Sequence, residues 1–239
     1  MVLDGFWFTS LLKSNIKMSN SMQPSNSSKN CPSNSGINIQ NSGELTKPSK
    51  YFILKRVEFT DNGTKRFWDY TKSHNSVAIC IYNKDLDQLV FVRQFRPALL
   101  METLDRDEPV ENFKEHGLSV ECCAGIVDKN KPIAQVAAEE VFEETGYKVD
   151  ADKLEQFGKF RRIDSGAYQN MFYVEVTNKD RVGTGGGLVE EHESIEVLHL
   201  TIDQAKKQFC SMDQPEYGSR GSGASYMVMW FLMNKYNAK

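Results

Sequence analysis

The sequence predicts a mixed α/β sandwich, because short runs rich in Val, Ile, Phe and Tyr alternate with a few helical patterns and are separated by turn residues. With 40% hydrophobic and 11% aromatic residues, the 239-residue chain can bury a sizeable core. Its longest apolar stretch, from Tyr226 to Met233, falls far short of the ~20 residues that a bilayer-spanning helix needs. No membrane segment is predicted.

Residues 1–48 are dominated by Ser and Asn, a composition that cannot bury enough apolar surface to offset the entropy of ordering, so a disordered tail is expected there. Phe6, Trp7 and Phe8 stand near its start, but Asp4 and the lack of a basic stretch ahead of them argue against a targeting signal. Residues 49–73 form a β-rich N-terminal segment, in which strands at 51–60 and 65–70 flank the hairpin signal Asp61-Asn62-Gly63. A larger unit follows over 74–239.

That unit opens with strands at 76–82 and 88–95 joined by the polar residues 83–87. A charged loop at about 102–117, expected to be mobile, leads to a strand at 118–124. Residues 133–145 read as a helix stopped by Gly146. Strands at 154–162, 170–176 and 194–200 and helices at 202–210 and 224–236 complete the order. The run 183–187 holds four glycines in five positions. It lacks the GK[ST] continuation of a phosphate-binding loop, and it reads as flexible.

The formal charge is −3, but residues 1–50 carry five Lys against two acids, leaving 24 basic and 30 acidic groups beyond them. An excess of acids over the folded part excludes a nucleic-acid surface. The five cysteines, 31, 80, 122, 123 and 210, are odd in number and lack CxxC spacing, as expected for reduced thiols in a cytoplasmic protein.

Chemistry concentrates in the segment from Gly125 to Tyr147. Glu140, Glu143 and Glu144 are spaced i, i+3 and i+4, so a helix projects all three carboxylates from one side. At 100° per residue, Glu140 and Glu144 share the sector of Ile133, Val136 and Ala137, which faces the protein body. Inward carboxylates placed side by side repel one another. A hard cation with oxygen ligands relieves that repulsion, and Mg²⁺ favours a few carboxylates completed by water and phosphate oxygens. A bare acidic helix would otherwise read as a solvated face.

The segment resembles the Nudix box, a glycine, five residues, a glutamate, seven residues, then Arg-Glu-apolar-x-Glu-Glu-x-Gly-apolar. Gly125, Glu140, Val141, Glu143, Glu144, Gly146 and Tyr147 all fall at the required spacing. Two positions depart with reversed charge: Lys131 stands where the box has Glu, and Glu139 stands where it has Arg. One reading is an ion pair kept with its signs exchanged. The other is that neither position matters. The resemblance implies a Nudix α/β/α sandwich with a mixed sheet and box glutamates holding Mg²⁺, with Mn²⁺ as a substitute.

Three further stretches narrow the resemblance: Phe67-Trp68-Asp69-Tyr70 leading to His74-Asn75-Ser76-Val77, Val92-Arg93-Gln94-Phe95-Arg96-Pro97, and residues 185–197. With the box they are similar to the UDP-sugar pyrophosphatase branch, related to ADP-ribose pyrophosphatases, over about 51–236. That similarity implies a homodimer and hydrolysis of a nucleotide sugar, UDP-glucose to UMP and glucose 1-phosphate. The alternatives are an ADP-ribose pyrophosphatase giving AMP and ribose 5-phosphate, and a non-catalytic Nudix-fold binding module. It also implies Arg96 on the diphosphate, Ala124 offering a carbonyl to the metal, and a water-activating glutamate at Glu191 or Glu193. Trp68 is the candidate for stacking on the base.

Overall fold

The computed structural model describes residues 51–106, 109–128, 130–188, 190, 193–213, 215–221 and 223–237, together with 37, 39, 42, 45 and 47–49. Most of the tail expected at 1–48 lies outside them. β1 (Phe52–Asp61) and β2 (Thr64–Ser73) pair antiparallel from Phe52 with Ser73 to Asp61 with Thr64, and Asn62 and Gly63 turn the chain. Both faces of β1 are exposed along its length. At the base of this hairpin, the Thr71 N–H donates to the Asp164 carbonyl at 3.0 Å.

β3 (Asn75–Asn83) and β4 (Gln88–Phe95) lie at the centre of an eight-stranded mixed sheet. They pair with each other only over Ile81–Asn83 and Gln88–Val90, and then diverge. The strand expected at 118–124 fills the gap by dividing at Cys122. β5 (Leu118–Glu121) pairs with β4, and β6 (Cys123–Val127) pairs with β3. β3 also pairs in parallel with β8 (Tyr168–Val176), beside which lies β7 (Glu155–Arg161). β4 pairs with β9 (Ile195–Thr201) on its other edge.

Alternation along the strands sends side chains to two separate cores. Val77, Ile79 and Ile81 of β3 pack with Val136, Ala137 and Val141 of α3 (Ile133–Thr145). Ala78, Cys80 and Tyr82 face α4 (Ile202–Cys210) and α5 (Ala224–Phe231), where Phe209, Met227 and Phe231 are buried. The result is a sheet between two helical layers, the α/β/α sandwich that the resemblance implies. Thr201 and Gln204 form a capping box that starts α4 directly from β9.

Two expectations are corrected. The segment at 102–117 is not a plain loop: helices occupy Pro97–Asp105 and Phe113–Gly117. Leu100 and Leu104, one turn apart, bury against Phe113 and so hold the chain helical despite its charge. The C-terminal helix expected at 224–236 is α-helical to Phe231 and continues as a π-helical turn over Leu232–Tyr236. Among the described residues, no helix is long and apolar enough to cross a membrane.

Candidate active site

Packing of α3 on the sheet decides where its acids point. Val136, Ala137 and Val141 are at most 2% exposed, and Glu144, on the same side, is only 4% exposed. Its carboxylate accepts the backbone N–H of Ala124 at 3.0 Å, and the Cys123 thiol also hydrogen-bonds to it. Burial pushes the Glu144 carboxyl up to about 8, and the nearby Glu140 and Glu193 push the same way against those two hydrogen bonds.

Gly125, in the middle of β6, lies directly beneath Glu140. A Cβ at residue 125 would occupy the place of the Glu140 carboxylate, so only glycine allows this approach. Glu140, Glu143 and Glu144 line a cavity of about 560 Å³ together with Ala124, Asp128, Glu190 and Glu193. Tyr51, His74, Gln94 and Arg96 also line it. The Arg96 guanidinium is clamped by Glu121, with Nε and Nη2 donating at 2.9 and 2.7 Å. Those bonds do not use Nη1.

Among the described residues, no three His, Cys, Asp or Glu side chains close around one point. An open acidic wall nonetheless fits a hard divalent cation, which takes a few carboxylates and fills its other positions with water and substrate oxygens. The nearly buried Glu144 carboxylate is the residue that most needs such a charge. Glu140 and Glu143 would hold the cation with it.

The glycine run is packed against the end of α3, not free as its composition suggests. The N–H groups of Val182 and Gly183 both donate to the Gly146 carbonyl at 3.0 Å. Those of Gly186 and Gly187 donate to the carbonyls of Glu144 and Glu143 at 2.9 and 3.1 Å. They satisfy carbonyls that a helix C-terminus leaves without intrahelical partners. The Leu188 N–H then donates to the Glu193 carboxylate at 3.0 Å.

Of the residues expected from the sequence, Arg96, Ala124, Glu140, Glu143, Glu144 and Glu193 meet in this cavity. Trp68 does not line it: the side chain lies on β2, 62% exposed, opposite Val57. Glu191 lies outside the described residues. Sequence reasoning missed Tyr51, His74, Gln94, Asp128 and Glu190. Gln94 was readable, since it sits two positions before Arg96, whose backbone is still extended just past the end of β4, so the two side chains share a face. Lys131 and Glu139 do pair, with Nζ 2.5 Å from the carboxylate, tying the box loop to the helix one residue before Glu140.

Two outcomes follow from this geometry. The folded chain binds the Glu144 proton more tightly than the unfolded chain does. That contribution to stability is present below the ordinary carboxyl range near 4.5 and is lost as pH rises through about 8. In metal-free buffer, urea unfolding should therefore show wild-type stability falling by a few kcal/mol at most between about pH 5 and 9, at about 1.4 kcal/mol per pKa unit. Glu144→Gln should flatten that slope. For the part-exposed ion pair, Lys131→Glu and Glu139→Arg should each destabilise, and the double exchange should recover up to about 1 kcal/mol. Additive losses would show that the pair is not coupled.

No family model matches the chain. It is 35% identical over 206 residues to the uridine diphosphate glucose pyrophosphatase NUDT14 of Mus musculus, an alignment covering 79% of this chain and 91% of that relative. With the protein of the same name from Bos taurus it is 32% identical over 202 residues, covering 77% and 89%. A GDP-mannose pyrophosphatase of Escherichia coli O139:H28 is 32% identical over 195 residues, covering 81% and 85%. This similarity runs along most of each chain, and it accompanies a sandwich whose glycine-bounded helix carries Glu140, Glu143 and Glu144. The chain therefore belongs to the Nudix hydrolase family, in its UDP-sugar pyrophosphatase branch.

Proposed function

We propose that this protein is a Mg²⁺-dependent hydrolase, with Mn²⁺ as a substitute, that splits the diphosphate bridge of nucleotide sugars, converting UDP-glucose to UMP and glucose 1-phosphate. The observation that carries the reading is the convergence of three box glutamates and Arg96 on one cavity in a chain similar to uridine diphosphate glucose pyrophosphatases.

A divalent cation, when bound, would supply charge neutralisation at the phosphates and make the attacking water more acidic. Glu140, Glu143 and Glu144 would hold it, and Ala124 would turn its carbonyl towards it. Arg96, kept in place by Glu121, binds diphosphate oxygens through its remaining donors, for which a planar guanidinium is suited. Water attacks one phosphorus, the bridging P–O bond breaks, and the proton passes to a loop glutamate. Glu193, which lines the cavity, takes that role in this proposal, and Glu191 is the other candidate. Tyr51, His74 and Gln94 also line the cavity and supply aromatic and amide groups that suit a nucleoside.

The relatives named GDP-mannose pyrophosphatase favour a second substrate within the same chemistry. Incubation with Mg²⁺ and UDP-glucose, GDP-mannose or ADP-ribose should release nucleoside monophosphate, fastest from UDP-glucose. Glu144→Gln should reduce the rate by at least about 100-fold. Absence of monophosphate from every substrate would refute the reading.

A homodimer is part of the proposal. On one face of the hairpin Ile53, Val57, Phe59 and Trp68 are 51, 43, 41 and 62% exposed, an apolar surface that one chain leaves uncovered. A second copy would cover it and bring Trp68 towards a site. The acidic balance argues against nucleic acid as a partner, and the free cysteines 80, 122, 123 and 210 fit a reducing, cytoplasmic setting. Light scattering should give twice the chain mass at micromolar concentration. Val57→Asp with Trp68→Asp should give the single-chain mass, and a wild-type monomer would rule the dimer out.

A further inference from the structure

Three consecutive backbone amides connect the acids of the site. The Gly186 N–H is bonded to the carbonyl of Glu144, the Gly187 N–H to the carbonyl of Glu143, and the Leu188 N–H to the carboxylate of Glu193. From the other side, the Ile195 N–H returns to the Gly186 carbonyl at 3.2 Å and the Glu193 N–H to the Leu188 carbonyl at 3.2 Å. The segment between Gly186 and Ile195 is thus closed at its base, and its base is bonded to the two residues that end the acidic face of α3.

We propose that the glycine run is a positioning device, a collar that sets the distance between the metal-holding helix and the loop glutamate. Like charges oppose that arrangement, since Glu193 and Glu144 share one cavity and repel. Side-chain packing could not fix Glu193 there, because it is an exposed loop residue. Backbone hydrogen bonds to a buried helix end can, as α3 itself is anchored in the core. The chain can present three successive amides in this way only with an unusual conformation, and Gly186 has φ of +108°, which an L side chain rarely adopts. The inference rests on the hydrolase reading in one respect: it takes Glu193 as the proton acceptor.

Gly186→Ala tests it cleanly. A methyl there meets only the Ile195 carbonyl, at 3.6 Å, so the substitution disturbs the collar's backbone without striking α3. With UDP-glucose and Mg²⁺, kcat should fall about 10- to 100-fold, the scale expected for a misplaced catalytic group, with KM changed by less than about twofold. In a Glu193→Gln background the same substitution should cost less than about twofold, because the group it misplaces is already gone. Lys179→Ala, at an exposed position ahead of the run, should leave kcat unchanged. Independently of turnover, the Gly186 and Gly187 amides of the wild-type protein should exchange with deuterium as slowly as those of α3. Equal losses in both backgrounds, or exchange of those amides at the rate of an open loop, would overturn the collar. A wild type inactive on every nucleotide sugar would instead remove the hydrolase reading and the proposal with it.

Discussion

The apolar seam between α3 and the sheet positions everything else in the site. Val136, Ala137 and Val141 can be buried only if the helix lies flat on β6 and β3, and the helical repeat then carries Glu140 and Glu144 inward beside them. Burial of these apolar residues thus forces carboxylates against a sheet, a placement they would not adopt alone. The Ala124 N–H and the glycine beneath Glu140 make room for them without removing the repulsion. Apolar burial and charge therefore pull in opposite directions at these positions.

The division of the central strand at Cys122 serves the same end. Because β3 and β4 separate, β5 and β6 can fill the wedge and deliver Ala124 and Gly125 beneath the helix. Glu121, the last residue of β5, then clamps Arg96, which follows β4. A single topological feature thus brings the acids of α3 and Arg96 to one cavity.

Much of this was readable from the sequence, and the reasons differ by residue. The Glu140, Glu143 and Glu144 cluster and its stop at Gly146 are local patterns, fixed by helical spacing and by a left-handed cap. The hairpin at Asn62-Gly63 was likewise local. Tyr51 and His74 were not readable as a pair, because only the register of β1 with β2 sets them side by side, just outside the pairing of Phe52 with Ser73. The glycine run misled for a related reason: its composition signals freedom, but its amides are held by carbonyls some forty residues away along the chain. The helix from Pro97 was missed because Leu100 and Leu104 gain their burial from Phe113, beyond a charged stretch.

The reversed pair at Lys131 and Glu139 separates what the box requires from what it usually contains. A cation at 131 and an anion at 139 place the charges opposite to the family pattern, yet the two side chains still join loop to helix one residue before Glu140. If a particular sign were required at position 139, an anion beside three other carboxylates would be the worst choice available. It is tolerated because Lys131 neutralises it locally and a part-exposed pair is screened by solvent. The constraint at these positions is therefore on the connection: the loop leaving Gly125 must be fixed to the helix so that Glu140 returns over that glycine.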